Sequence, residues 1–118
     1  MSYQSVNPNT GKLIKSFEHL SAAQLQHALA TAETCFQSWK KTTHAERAAV
    51  LSRAAVLLRS HADEFANLET LEMGKRIDEA RGEVIFSADI LSYYAQHGEE
   101  FLAPVKLHPK HEIGRAHV

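Results

Sequence analysis

At 118 residues the chain is long enough to bury a core, and 44% apolar with 23% charged residues is the composition of an ordinary globular protein. A net charge of −1 lacks the electrostatic footprint of a nucleic-acid binder or of a ligand for acidic membrane surfaces, and no apolar run reaches membrane-span length. The polar opening Met1 to Asn9 lacks the basic and apolar blocks of a signal peptide, and one cysteine, Cys35, excludes an internal disulfide and fits a reducing cytoplasm.

Tyr3 to Val6 and Lys12 to Phe17 read as short strands around Asn7-Pro8-Asn9-Thr10-Gly11, whose proline, asparagines and glycine suit a tight connection. A hairpin is expected there. Ser21-Ala22-Ala23-Gln24 is a capping box that starts a helix. Leu25, Ala28, Leu29, Ala32, Cys35, Phe36 and Trp39 then recur at helical spacing as one buried stripe. Thr43-His44-Ala45-Glu46 is a second capping box, followed by the stripe Val50, Leu51, Ala54, Leu57 and Leu58. Ser60 and Asp63 mark a third start, with Phe65, Leu68 and Leu71 inward and Gly74 as a left-handed cap.

The last helix is expected from Arg76 or Ile77 to about Gln96, with Gly98 as its stop. Ile77, Ala80, Val84, Ala88, Leu91 and Ala95 form one face, while Phe86, Ile90, Tyr93 and Tyr94 populate others. A helix apolar on several sides should be contacted on more than one of them. Gly82, costly in a helix interior, predicts the close approach of a neighbouring backbone. Pro104 to His108 returns to extended chain. The fold class is therefore mostly α: an N-terminal hairpin, about four helices and a final extended segment.

Candidate chemistry is sparse. Cys35 shares the apolar stripe and has no histidine in its turn, so it reads as a small buried hydrophobe and not as a nucleophile. Gly74-Lys75 is not a phosphate loop, because Glu69 and Arg76 stand where that motif needs glycine and serine or threonine. Lys75 is expected to be solvated beside a helix end. His108 and His111 are separated by Pro109 and joined by no further ligand, so no metal site is assigned. Glu79 and Glu83 read as an i, i+4 surface pair, and Arg47 and Trp39 as packing and pairing between the first two helices.

The stretch from Glu69 to Phe101, with its Met73-Gly74-Lys75 junction and Tyr93-Tyr94 pair, resembles the amino-terminal region of the aldehyde dehydrogenase superfamily, its succinate-semialdehyde branch in particular. The Asn7-Pro8-Asn9-Thr10-Gly11 turn also resembles the family's opening hairpin, and the likeness extends from about Tyr3 to Lys106. The resemblance implies residues 1–111 as an incomplete N-terminal part of the cofactor-binding domain, belonging to an α/β fold completed elsewhere. It implies a parent enzyme that binds NAD or NADP and oxidises a small aliphatic aldehyde, with succinate semialdehyde as substrate and a homo-oligomeric assembly. Aligning the tyrosine pair places Phe86 and Ile90 along the aldehyde tunnel. The family's catalytic cysteine, general base and nicotinamide-binding residues have no counterpart here, so no catalytic or cofactor-binding residue is assigned and this chain alone is expected to bind no cofactor.

Residues 112–118 are expected to be a non-native tail, since one permitted back-translation of Glu112 to Val118 contains the start of a sequencing adapter. The competing reading is a stand-alone helical module that offers its stripes to a protein partner. Either way, a helix apolar on several sides predicts a chain prone to self-association when isolated.

Overall fold

A computed structural model describes residues 2–106. The order is β1 (Tyr3–Val6), β2 (Leu13–Phe17), α1 (Ala22–Trp39), α2 (His44–Ser60), α3 (Ala62–Met73) and α4 (Ile77–Phe101). The mostly helical fold expected from the sequence is the one observed. Residues 104–106 carry no regular structure, and Leu107, His108, His111 and the tail at 112–118 lie outside the described residues.

The hairpin is antiparallel, with Tyr3 opposite Phe17, Gln4 opposite Ser16, Ser5 opposite Lys15 and Val6 opposite Leu13. The register slips between Ser5 and Val6, leaving Ile14 as an extra residue in β2. Asn7 organises the turn: its Oδ1 accepts from the Asn9 and Thr10 amides at 2.9 and 3.2 Å, and its carbonyl accepts from Gly11 at 2.8 Å. Gly11 closes the turn at φ 67°, a left-handed conformation that glycine enters without steric cost.

The hairpin is fastened to α3 at two points. Ser5 Oγ donates to Glu72 Oε1 at 2.8 Å, and Pro8 lies over Gly74. Gly74 caps α3 at φ 72°, and a Cβ placed on it would come within 3.0 Å of Pro8 Cγ. Glycine is thus required twice at one position, by the helix stop and by the proline above it.

Both sequence-read capping boxes are present. Ser21 N donates to Gln24 Oε1 at 2.8 Å while Gln24 N donates to Ser21 Oγ at 3.2 Å. Thr43 N donates to Glu46 Oε2 at 2.7 Å and Glu46 N to Thr43 Oγ1 at 3.2 Å. The third start differs from expectation. Ser60 does not cap α3; its hydroxyl donates back to Leu57 O at 3.0 Å, and His61 stands at the N-cap with no side-chain cap bond. Asp63 lies in the first turn of α3, where its charge favours the helix dipole.

The core sits between α4 and the pair α2 and α3. Ala55, Ala66, Ala80, Val84 and Ala88 are its buried residues, so the helices meet through methyl-sized side chains. Ion pairs flank this seam. Arg59 of α2 reaches Asp89 at 2.6 Å and Ser92 Oγ at 3.1 Å, and Arg81 of α4 reaches Asp63 at 2.7 Å. Lys75, expected to be solvated, instead bridges Glu69 of α3 at 3.5 Å and Glu83 of α4, with a quarter of its side chain exposed. The connection between α3 and α4 is so short that its ammonium stays within reach of both carboxylates.

Gly98 does not stop α4. Its carbonyl accepts from the Leu102 amide at 3.1 Å, and the helix runs on to Phe101. The stop is set by Pro104, which disfavours helical backbone at Ala103. Gly82 is also open, since a Cβ there meets nothing within 4 Å among the described residues. The close backbone neighbour that it predicts is not supplied by this part of the chain, and the helix carries a cost of about 1 kcal/mol against alanine.

α1 stands apart. It has no buried residue, and Leu25, Leu29, Phe36 and Trp39 along its stripe are all exposed. The Cα radius of gyration is 21.5 Å, against about 13–14 Å for a compact chain of this length.

Two outcomes are expected. Ala88→Leu should force α4 away from its neighbours and destabilise the helical layer by about 1–3 kcal/mol, read as a lower urea midpoint. Hydrogen bonds from the Thr43 backbone and hydroxyl hold the Glu46 carboxyl below the ordinary glutamate range. The lowered value means that its contribution is complete above the unfolded pKa and is lost as pH falls through the folded one. Helicity should therefore fall on acidification below about pH 4.3, and Glu46→Gln, which keeps the cap but does not titrate, should remove part of that fall.

Candidate functional site

α4 has two faces of opposite character. Ile77, Ala80, Val84, Ala88, Leu91 and Ala95 are buried or half-buried toward α2 and α3, as their spacing predicts. Phe86 follows Val84 by two residues, about 200° around the helix, and so points away from that seam. It is 64% exposed, and Ile90, one turn on, is 40% exposed. The two residues are thus brought together on one open face, adjoining Gly82 on one side and Tyr93 on the other.

Beyond Ile90 this face becomes aromatic. Tyr93 lies 5.5 Å from Tyr94 in an edge-on arrangement, 4.6 Å from His97 and 5.9 Å from Phe101, centroid to centroid. Tyr93, His97 and Phe101 recur every fourth residue, so the extended stripe is present in the sequence. It is hidden there only if Gly98 is taken as a helix end.

A cleft of 290 Å³ between the start of α2 and the end of α4 includes His44, Arg47, Leu51, Tyr94, Glu99 and Leu102 in its lining. Arg47 is committed elsewhere. Its guanidinium donates to Thr42 Oγ1 at 2.9 Å and to the carbonyls of Trp39 and Lys40 at 3.2 and 3.4 Å, and it lies 6.0 Å from the Trp39 ring. It locks the α1–α2 corner, the structural role its sequence position suggests, and is not a free anion ligand.

Cys35 corrects the sequence reading. It is exposed, beside Thr31, Thr34 and Ser38, because the helix that carries its stripe is not packed against the rest of the layer. No activating histidine contact to the thiol is found among the described residues. There, no group of three His, Cys, Asp or Glu side chains could hold a metal ion, and no helix is long and apolar enough to cross a membrane.

The helix starts do not suit a dinucleotide pyrophosphate, which needs free amide donors without competing negative charge. In α1 and α2 the capping boxes already take up the N-cap amide and the third helical amide. α3 opens with Asp63 and Glu64, and α4 with Asp78 and Glu79. The described helix starts are thus partly capped or acidic, and none is assigned to a dinucleotide. Hydrogen bonding to Glu83, aided by Glu69, raises the Lys75 pKa, so its ammonium stays charged as a structural bridge.

The order of hairpin and helices is that of a segment of known dehydrogenases. Succinic semialdehyde dehydrogenase from Streptococcus pyogenes, solved in complex with NADP+, matches with a TM-score of 0.85 and 36% identity, over 92% of this chain and 24% of that one. The chain belongs to the aldehyde dehydrogenase family, whose model matches residues 1–115. Succinate-semialdehyde dehydrogenase [NADP(+)] of Deinococcus radiodurans is 42% identical over 102 residues, which is 86% of this chain and 21% of that protein. An aldehyde dehydrogenase of Paenarthrobacter nicotinovorans is 32% identical over 118 residues, all of this chain and 26% of that protein. The chain thus spans about a fifth to a quarter of the length of the relatives it matches.

The exposure of Cys35 has a direct consequence. Folded chain should react with a maleimide at nearly the rate of urea-unfolded chain; strong protection would show that α1 is covered.

Proposed function

We propose that this chain is the amino-terminal part of a longer NAD(P)-dependent aldehyde dehydrogenase that oxidises succinate semialdehyde to succinate. The observation that carries this reading is the extended similarity to the Deinococcus radiodurans enzyme named for that substrate and for NADP+. The open face of α4 supports it, since an apolar wall with no partner of its own suits a site completed by other parts of an enzyme.

In this reading residues 1–111 contribute to the cofactor-binding domain without touching the cofactor. Phe86 and Ile90 line the aldehyde passage, where an aromatic and a branched side chain exclude water and orient a short aliphatic substrate. Arg47, Lys75, Arg59 and Arg81 hold the helices in place; none is free on the Phe86 face to pair with a substrate carboxylate. The reduction of NAD(P)+ and the attack on the aldehyde belong to residues outside this chain. The enzyme is a cytoplasmic homo-oligomer, and the 118-residue chain alone is inactive.

Amplifying the locus from genomic DNA tests the reading. An in-frame continuation carrying dinucleotide-binding and cysteine motifs is expected, with reduction of NAD(P)+ that depends on added succinate semialdehyde; a genuine stop directly after Val118 would sink it. In the longer protein Phe86→Ala should lower kcat/KM for short aliphatic aldehydes about 5- to 30-fold, as expected for losing about 1–2 kcal/mol of apolar contact. Unchanged kinetics across several aldehydes would remove Phe86 from the passage.

A further inference from the structure

The carboxyl end of α3 is poorly secured by its own helix. Its apolar side chains do not hold it, since Leu71 is 41% and Met73 71% exposed. Glu69 Oε2 and Thr70 Oγ1 are buried without a hydrogen-bond partner among the described residues, which leaves their desolvation uncompensated at that end. The last turn also carries no basic residue, although the carbonyl end of a helix favours positive charge. A terminus built in this way opens at low cost unless groups outside it hold it closed.

Two such groups are present, one on each side. From the hairpin, Ser5 Oγ donates to Glu72 Oε1 at 2.8 Å and Pro8 covers Gly74. From the α4 side, Lys75 brings its ammonium to 3.5 Å from Glu69 Oε2 and bonds Glu83. That ammonium supplies the positive charge the last turn lacks and faces the unpartnered carboxylate oxygen. Glu69, Glu72, Gly74 and Lys75 share one short stretch of backbone, so both fastenings act on the same residues. Opening of that stretch would take Glu72 from Ser5, Gly74 from Pro8 and Lys75 from Glu83 in one event.

We propose that residues 69–75 are a coupler whose order depends on the hairpin and α4 together, so that the seating of β1 and β2 and the placement of the start of α4 are linked. Linkage of this kind is reciprocal: loosening either side loosens the other. Because α4 is one continuous helix, a displacement at Glu83 is carried to Phe86, less than one turn on. The pair Arg59 with Asp89 fastens α4 to α2 beyond Phe86 without touching residues 69–75. The coupling belongs to this chain and does not depend on the longer enzyme.

Hydrogen–deuterium exchange of the 118-residue chain, read by mass spectrometry, tests the linkage. Lys75→Met, which leaves the Glu69 oxygen without its counter-charge, should speed exchange about 5-fold or more in residues 3–17 as well as in residues 77–84. Ser5→Ala should speed exchange in residues 77–84, although its bond is to α3. Arg59→Met, which cuts a fastening of α4 away from the coupler, should leave residues 3–17 unchanged. Unchanged exchange in the hairpin of Lys75→Met overturns the proposal, and so does an equal acceleration there in Arg59→Met. Where Lys75→Met loses protection throughout the chain, Ser5→Ala decides: faster exchange in residues 77–84 supports the linkage, and unchanged exchange overturns it.

Discussion

Methyl-sized packing along the inner face of α4 is the constraint on which the rest of this structure depends. Ala55, Ala66, Ala80 and Ala88, with Val84, let three helices approach until their backbones nearly govern the spacing. Such a seam defines geometry well but buries little apolar surface for each residue, because an alanine offers one methyl group where a leucine offers four carbons. The pairs Arg59 with Asp89 and Arg81 with Asp63 stand at the margins of that seam and fix how α4 is rotated against α2 and α3. Being largely solvated, they orient more than they stabilise. The larger apolar side chains, Phe86, Tyr93 and Phe101 among them, point elsewhere.

That division explains which features were legible in the sequence. Local chemistry was read correctly at the Asn7–Gly11 turn, at the boxes Ser21–Gln24 and Thr43–Glu46, and at Gly74, because each is decided within a few neighbouring residues. The inner stripe of α4 was legible for the same reason, as periodicity alone identifies a face. Periodicity does not identify what lies against it. Cys35 belongs to a stripe as regular as that of Ala80 and Ala88, yet it is exposed. Its burial would depend on a partner at long range, which spacing cannot supply.

Phe65, Leu68 and Leu71 of α3, expected inward, are likewise exposed, and two further differences arise near helix ends. At Gly98 the low helix propensity of glycine loses to continuing backbone hydrogen bonds, and the proline at 104 ends the helix instead. At Lys75 a flexible side chain looks solvated until the short α3–α4 connection brings two glutamates to it. The candidate site was partly legible: helical spacing places Phe86 and Ile90 together, but only family likeness suggests what passes them. Family membership and an open α4 face agree with a protein whose working surface is shared among several segments.

The fastening of the hairpin to α3 bears on the order of events during synthesis. Ser5 and its acceptor Glu72 are 67 residues apart in the chain. At the ordinary translation pace of about 5–20 residues per second, the turn around Pro8 leaves the ribosome roughly 3–13 s before its seat at Gly74. A two-stranded hairpin is only marginally stable in water, so during that interval its strands have no platform. The capped helices α1 and α2 can form meanwhile from local information. The hairpin is therefore made before α3 but fixed only once α3 is in place, and the α3 terminus acts as its clasp.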